Sequence, residues 1–208
     1  MVGTHGVPGE TSVEFTQALR DLREVQLRPE VRLTEVPAPS RIAPYAVALT
    51  AEVAIARIHT APGPGPGSGS DDGDELASGR FVLRHDPSAP EPWEGVWRAV
   101  TFARAELEPE LANDPMLGGV GWSWLMDALA EHDAPYVAEG GTVTRVVSES
   151  FAGLAERRTT VELEIRASWT PTGPDLGVHL QAWSELLCMI AGLPPLPEGV
   201  VALPGRRH

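Results

Sequence analysis

The stretch TVELEIRASW, residues 160–169, alternates strictly between apolar and polar side chains. Successive side chains of a β-strand point to opposite faces, so this pattern is typical of a strand with one buried and one solvated face. Such strands build antiparallel sheets that carry helices on a single side. The segment YAVALTAEVAIA, residues 45–56, has the same period and predicts a second long strand.

The rest of the chain supplies more strands and the helices that cover them. Apolar alternation predicts strands at residues 31–33, 81–83, 96–105 and 142–151. The helical period predicts helices at 12–24, 119–133 and 175–192, with Thr11 and Asp175 as N-terminal caps. The predicted fold is α+β, an antiparallel sheet of about six strands covered by about three helices. The predicted order is helix, four strands, helix, two strands, helix.

Composition divides the chain into one body and three low-complexity segments. Residues 11–200 are predicted to form a single domain, with flexible tails at 1–10 and 201–208. The run APGPGPGSGSDDGDELASG, residues 61–79, has little apolar surface to bury, so we expect a disordered loop that joins two strands. An interdomain linker is the alternative interpretation. It is disfavoured because the residues before the run hold too little apolar sequence for a separate core.

The charged residues exclude several classes of function. The chain has no lysine, so Walker loops, Schiff-base chemistry and lysine general bases are excluded. The net charge of −13 disfavours nucleic acid as a partner. A local cluster of arginines keeps that possibility open, although Asp21, Glu24 and Glu30 dilute it. The cluster consists of Arg20, Arg23, Arg28 and Arg32.

The single cysteine and the N-terminal sequence point to one location. Cys188 has no second cysteine to pair with, as is usual in a reducing compartment. The first ten residues lack an export signal, and no segment has the length of a membrane span. We therefore expect a cytosolic protein that does not enter a membrane.

No catalytic, metal or cofactor motif stands out. The six histidines are dispersed without zinc-ligand spacing, so we expect no metal site and no cofactor. The nucleophile motif Gly-x-Ser-x-Gly is absent, and GSGS at 67–70 lies in the expected loop. Cys188 follows the buried Leu187 on the last predicted helix, which favours a structural thiol. These absences favour a protein without enzymatic activity.

Two sets of residues are candidates for binding. Arg145 and Glu149 share one face of a predicted strand, where an arginine fork would grip a carboxylate or phosphate. A cross-strand ladder of charges with Glu162, Glu164 and Arg166 is the alternative. Trp122 and Trp124 lie about 200° apart on a helix, so we expect one in the core and the other exposed to a partner. Trp93 and Trp97 are further candidate surface aromatics, and filling of the core by all four is the alternative.

Six stretches of the chain carry a family resemblance. They are LRPEVRLTEVPAPSRIAPYAVAL, GRFVLRHDP, VGWSWLMDAL, GTVTRVVSESF, EIRASWTP and LLCMIAGLPPLPEGVV. With these stretches the chain resembles the DUF3000 proteins, which implies a cytosolic protein from an actinobacterium. The resemblance supplies no reaction, ligand or catalytic residue. The order of elements is also similar to that of small acidic secretion chaperones and adaptors, which often dimerise, although an extra short strand and the long loop set this chain apart.

Two functional hypotheses follow. The first is a non-enzymatic binding or adaptor protein that holds a protein partner, or a second copy of itself, through its sheet face or the helix with Trp122 and Trp124. The second is a small-molecule protein, sensory or enzymatic, with a cleft for an anionic ligand. That cleft would be formed by Arg145, Glu149 and Arg166, together with Arg84 and His85.

Overall fold

The computed structural model describes residues 12–55 and 75–194 of the chain. Within these two ranges the chain forms one six-stranded antiparallel sheet and three helices, so the predicted α+β class is confirmed. The helices are α1 (Val13–Glu24), α2 (Leu117–Glu131) and α3 (Gly177–Ile190). The strands are β1 (Val31–Val36), β2 (Tyr45–Ala54), β3 (Glu75–His85), β4 (Trp97–Leu107), β5 (Tyr136–Ser148) and β6 (Thr160–Pro171).

The strands lie in the order β1-β2-β3-β4-β6-β5, and every neighbouring pair is antiparallel. β1 and β5 are therefore the edges of the sheet. The chain leaves the sheet after β4, forms α2 and returns at the far edge as β5, before β6 takes the place between β4 and β5. This connection places α2 against both α3 and β5. No helix within the described residues is long and apolar enough to cross a membrane.

The core lies on the face of the sheet that carries the odd-numbered side chains of β2, β3, β4 and β6. The apolar residues of 160–169 are buried there, as their alternation predicts. α3 covers this face with Leu180, Trp183 and Leu187, which all have 0% exposure. The ring of Trp183 lies 5.7 Å from that of Phe81, centroid to centroid. Complete burial of such side chains contributes roughly 2 to 3 kcal/mol each, so α3 is a main anchor of the sheet.

The caps of two helices differ from the prediction by one position. Ser12, not Thr11, caps α1, because its Oγ accepts a hydrogen bond from the Phe15 amide at 3.2 Å. Thr11 itself lies outside the described residues. Leu176 is the N-cap of α3, while the predicted cap Asp175 accepts a hydrogen bond from the Gly177 amide at 2.8 Å. At α1 two adjacent polar residues could serve the same free amides, so the sequence pattern does not distinguish them. At α3 Asp175 serves a free amide from one position before the cap, and Leu176 makes no side-chain cap hydrogen bond.

Two strands are longer at their start than predicted. β3 begins at Glu75, so residues 75–79 of the expected 61–79 loop belong to the sheet. β5 begins at Tyr136 rather than residue 142, and it ends at Ser148. A register shift next to Ala138, which has φ 52°, breaks the alternation on which the prediction relied. The expected tails and residues 61–74 lie outside the described residues.

Candidate functional site

The side of the sheet opposite the helices is its main polar surface. The helices contact odd-numbered residues: Phe15 of α1 stacks with Tyr45, and Trp183 of α3 lies against Gly79. Even-numbered side chains therefore point away from the helices, and we call this side the open face. Its central rows across β3, β4 and β6 are Arg84 and Arg98; Val82, Val100 and Ser168; and Arg80, Phe102 and Arg166.

Two arginines lie directly opposite each other on the open face. Arg84 and Arg98 are cross-strand partners of β3 and β4. Arg98 is held in place, because it donates hydrogen bonds to the Ala138 carbonyl at 2.7 Å, to Ser168 Oγ at 2.7 Å and to Thr170 Oγ1 at 3.2 Å. Arg84 has no hydrogen bond or ion pair with any residue in the described ranges, and its Nε is buried. Two like charges placed this way destabilise the sheet unless an anion lies near them.

Partial burial adds to the electrostatic cost of this pair. Desolvation lowers the pKa of the Arg84 guanidinium. Desolvation, followed by the positive charge of Arg84, lowers the pKa of Arg98, while Glu94 acts in the opposite direction. Both groups stay charged at neutral pH, since arginine does not release its proton in proteins. The open face therefore holds two adjacent positive charges that are poorly solvated.

A cavity of about 390 Å³ lies on the open face, with Val82, Val100 and Ser168 of its lining in the row next to the arginine pair, although neither Arg84 nor Arg98 lines it. Val82, Val100 and Phe102 contribute its apolar surface, and Arg80 and Arg166 are the charged residues of its lining. No carboxylate lines it among the described residues, although the chain carries a net charge of −13. The Arg166 guanidinium lies 5.1 Å from the centre of the Phe102 ring and pairs with Glu164 at 2.7 Å. The cavity is thus apolar at its base and cationic at its rim.

The five predicted ligand residues do not share one cleft. Arg84 and Arg166 lie on the open face. Arg145 pairs with Leu163 on the helix-covered face and donates a hydrogen bond to the Asp114 carbonyl at 2.5 Å. His85 is buried on that same face, and Glu149 follows the end of β5. The predicted cross-strand ladder with Arg145 is not formed among the described residues, because Arg166 pairs with Glu164 of its own strand and Glu162 lies 3.8 Å from Arg104 of β4.

Arg80 and Arg98 were missed as ligand candidates. The sequence placed Arg98 on one face of its strand with Val100 and Phe102, which is the face that lines the cavity. This alternation in the sequence could have identified Arg98 as a ligand candidate. The pairing of Arg98 with Arg84 depends on the register between two strands, which neither strand encodes by itself.

His85 belongs to an aromatic cluster under α1. Its ring has 0% exposure, and its centroid lies 4.2 Å from that of Trp97 and 6.4 Å from that of Phe15. His85 Nε2 lies 3.1 Å from a carboxylate oxygen of Glu14, a residue of α1. This position joins α1 to the sheet and closes the ring off from solvent, so the geometry is that of a structural histidine.

The four candidate tryptophans are all half-buried. Trp122 and Trp124 both pack against the hydrophobic core, so the prediction that one of them is exposed was wrong. The Trp122 ring lies over Gly141 of β5. Trp97 stacks in the cluster under α1, and Trp93 lies in a short turn whose carbonyl accepts a hydrogen bond from Thr170 Oγ1. None of the four is an exposed aromatic surface.

Four large exposed apolar side chains lie in or just beyond β5, while Val13, Ile55 and Met116 are exposed elsewhere. Val146 and Val147 are 42% and 43% exposed although they point to opposite faces of the sheet. Phe151 and Leu154, just beyond the strand, are 74% and 49% exposed. β5 is thirteen residues long, and within ranges 12–55 and 75–194 it has a sheet neighbour on one side only. The outer side of such an edge strand offers backbone amides and carbonyls, which is the usual template for pairing with another strand.

The arginine cluster proposed for nucleic acid is partly used inside the protein. Arg28 is 8% exposed, donates a hydrogen bond to the Pro194 carbonyl at 2.8 Å and pairs with Glu30 at 3.3 Å. Arg23 lies 4.0 Å from Glu35. Nor does any group of three or more potential metal ligands occur in the part of the chain that the structure describes.

With the geometry in place, the comparisons with known proteins add one result. A family model described as a protein of unknown function, DUF3000, matches residues 11–201. The chain belongs to the DUF3000 family. No curated protein and no solved structure matches it. The description of the DUF3000 family names no activity, so functional proposals for this member rest on its own residues.

We expect Cys188 of this DUF3000 protein to be unreactive in the folded state. The thiol has 0% exposure on α3, and burial raises its pKa to about 12. Since only the thiolate attacks a disulfide reagent, native protein at pH 8 should show almost no labelling by an aromatic disulfide. One thiol per chain should react after denaturation. Rapid labelling of the native protein would instead mean that α3 opens readily.

Proposed function

We propose that this DUF3000 protein is a non-enzymatic binding protein of the cytosol that engages another protein through the β5 edge of its sheet. The observation that carries the proposal is the exposure of that edge. β5 is thirteen residues long, and Val146, Val147 and Phe151 expose large apolar surfaces in or beside it. A long edge of this kind favours strand addition, in which backbone hydrogen bonds supply affinity and side chains supply specificity.

The opposite edge of the sheet supports the choice of β5. β1 has six residues, its exposed positions include Arg32 and Glu35, and Pro37 follows it directly. Short length, charge and a nearby proline are the features by which proteins keep edge strands from pairing. β5 also has a neighbouring proline, Pro135, and Glu139 near its start, but it is more than twice as long as β1 and Arg145 is its only charged residue between Gly140 and Ser148. The two edges therefore differ in length and in charge over residues 140–148, and both differences favour β5 as the binding edge.

A second copy of the chain is the partner that best fits β5. When two β5 strands pair antiparallel about a twofold axis at Val147, Arg145 of each copy faces Glu149 of the other. The same register places Val143 opposite Phe151 of the second copy. Phe151 already has an extended backbone, with φ −128° and ψ 163°, so the strand can lengthen to reach it. An axis at residue 145 would instead place Arg145 against itself.

The aromatic helix is a weaker candidate for the contact. Trp122 and Trp124 pack against the core, so changing Trp124 to alanine would remove core contacts as well as any partner contact. Pairing through β5 would break no core contact, because its outer side already lies at the surface of the described sheet.

A charge exchange across the expected twofold axis tests the proposal. Arg145→Glu or Glu149→Arg alone should weaken the dimer by about tenfold, since each change converts two attractive pairs into repulsive ones. The double variant R145E/E149R should restore wild-type dimerisation. Sedimentation equilibrium at about 0.1 M salt, over a range of protein concentrations, measures both effects.

The matched control is Arg20→Glu, a charge reversal at an exposed position of α1. It should leave the dissociation constant within about twofold of wild type, since long-range repulsion is largely screened. A wild-type protein that stays monomeric at every concentration would exclude self-pairing. Equal loss in the single and double variants would show that the register about Val147 is wrong.

A further inference from the structure

We infer that the open face holds a binding site for a small organic anion with an apolar body and one carboxylate head. The head would lie on Arg84 and Arg98, and the body would lie on Val82, Val100 and Phe102. These five residues belong to the central strands β3 and β4, while Gly140, Gly141 and Thr142 of β5 also line the cavity. None of the five is a residue of the proposed contact around Val147.

The arginine pair supplies the recognition of charge. Arg84 has no hydrogen bond or ion pair within the described ranges, and its Nε is buried without an acceptor. Its directly opposite neighbour is Arg98, so the nearest charge across the strands is of the same sign. A partly buried cation without an acceptor is costly, and a bound carboxylate would satisfy it while screening the repulsion.

The cavity next to this pair supplies the apolar contact. Its volume of about 390 Å³ lies within the size range of small-molecule sites, roughly 300 to 1,000 Å³. Val82 and Val100 are the next residues after Arg84 and Arg98 on the same face of their strands, about 7 Å away. An aromatic ring that carries a carboxylate spans this distance. No carboxylate lines the cavity among the described residues, and the carboxylate that acts on the arginine pair is Glu94, through Arg98.

The remaining hydrogen-bonding groups favour a single carboxylate head over a phosphate. Ser168 Oγ and Thr170 Oγ1 already accept hydrogen bonds from Arg98. At the far side of the cavity, Arg80 donates to the Pro37 carbonyl at 3.1 Å and Arg166 pairs with Glu164. Arg80 Nε and Arg84 Nε are both buried without an acceptor. Arg84 alone of the two makes no other hydrogen bond within the described residues, and its planar fork matches the two oxygens of a carboxylate.

Titration with 2-naphthoate, followed by isothermal calorimetry, tests this site. Wild-type protein should bind one equivalent, and the neutral analogue 2-naphthalenemethanol should bind at least about tenfold more weakly, because it lacks the charge-assisted hydrogen bonds. Arg84→Gln should weaken naphthoate binding by about tenfold or more. The control Arg104→Gln, on the same face but paired with Glu162 at 3.8 Å, should change it by less than about twofold.

Arg84→Gln should fold normally, since Arg84 makes no bond within the described residues and its removal relieves repulsion. Its midpoint of thermal unfolding should equal or exceed that of wild type. The two probes can be compared on unmodified protein, so the inference stays testable without any variant. Equal affinity for the two probes, no saturable binding of naphthoate, or equal effects of the Arg84 and Arg104 changes would each overturn it.

Discussion

Replacing Gly79 with valine is expected to lower the free energy of unfolding by about 3 kcal/mol or more. A Cβ added at this position would lie 2.5 Å from the carbonyl oxygen of Phe102 and 2.8 Å from a ring carbon of Trp183. The first atom is backbone at the centre of the sheet, and Trp183 itself is fully buried. Neither can move away cheaply, so the side chain would force β3, β4 and α3 apart.

The same geometry explains why glycine fits in the middle of a central strand. A ring carbon of Trp183 occupies the space next to Gly79, and the indole Nε1–H donates to the Phe102 carbonyl at 3.4 Å. Glycine normally weakens a strand because it loses more conformational entropy than other residues. Here the close approach of a buried tryptophan offsets that cost. The packing of α3 on the sheet therefore requires a residue without a side chain at position 79.

Gly140→Val is the matched control for this prediction. Gly140 also lies in a strand, β5, but a Cβ added there meets nothing within 4 Å. The control should change the free energy of unfolding by no more than about 0.5 kcal/mol, since exposed strand positions accept valine. Urea unfolding of the three proteins, followed by tryptophan fluorescence, measures the difference. Equal midpoints for Gly79→Val and wild type would mean that α3 does not rest on the sheet as described.

Sequence alternation was enough to predict the strands but not the site. The period of two assigns faces within one strand, and it correctly placed the apolar set of 160–169 in the core. It also means that the neighbours Arg84 and His85 point to opposite faces, so a cleft containing both was inconsistent with the strand itself. The placement of Arg84 and His85 on opposite faces of the sheet can therefore be predicted from the sequence. The direct pairing of Arg84 with Arg98 cannot, because it depends on the register between strands.

The tryptophans illustrate a second limit. Two helix positions about 200° apart cannot face the same neighbour, which led to the expectation that one of Trp122 and Trp124 is exposed. α2, however, packs against both α3 and β5, so it has neighbours on two sides. Helical periodicity predicts a buried stripe only when a single surface lies beneath the helix. The position of β5 beyond β6 created the second surface, and no local pattern encodes that topology.

Stability of this protein is expected to fall as pH drops below 6.5, because of His179. This residue of α3 has 0% exposure, and burial lowers its pKa to about 4, although Asp175 acts in the opposite direction. Its Nδ1 accepts a hydrogen bond from Trp169 Nε1 at 3.1 Å, so the ring is neutral with its proton on Nε2. Protonation of Nδ1 would remove that acceptor and leave a buried charge. The folded state therefore binds the proton more weakly than the unfolded chain does.

The direction and size of the pH effect follow from this difference in pKa. The contribution of neutral His179 is fully present above the unfolded pKa near 6.5 and is lost as pH falls toward the folded pKa of about 4. The total loss is about 3 kcal/mol, of which about 2 kcal/mol is lost between pH 8 and pH 5. Carboxylates also titrate toward the acid end of this range, so the effect of His179 must be isolated by comparison with a variant.

His179→Asn provides that comparison, because its side-chain oxygen can accept the Trp169 hydrogen bond and does not titrate. We expect the wild-type protein to lose about 2 kcal/mol more than this variant when the free energies of urea unfolding are compared at pH 8 and pH 5. His132→Asn, at a half-buried position after α2, should keep the wild-type slope. Parallel pH profiles for wild type and His179→Asn would show that the pKa of His179 is the same in the folded and the unfolded state. The contact between Trp169 and α3 would then need a donor arrangement different from the one described.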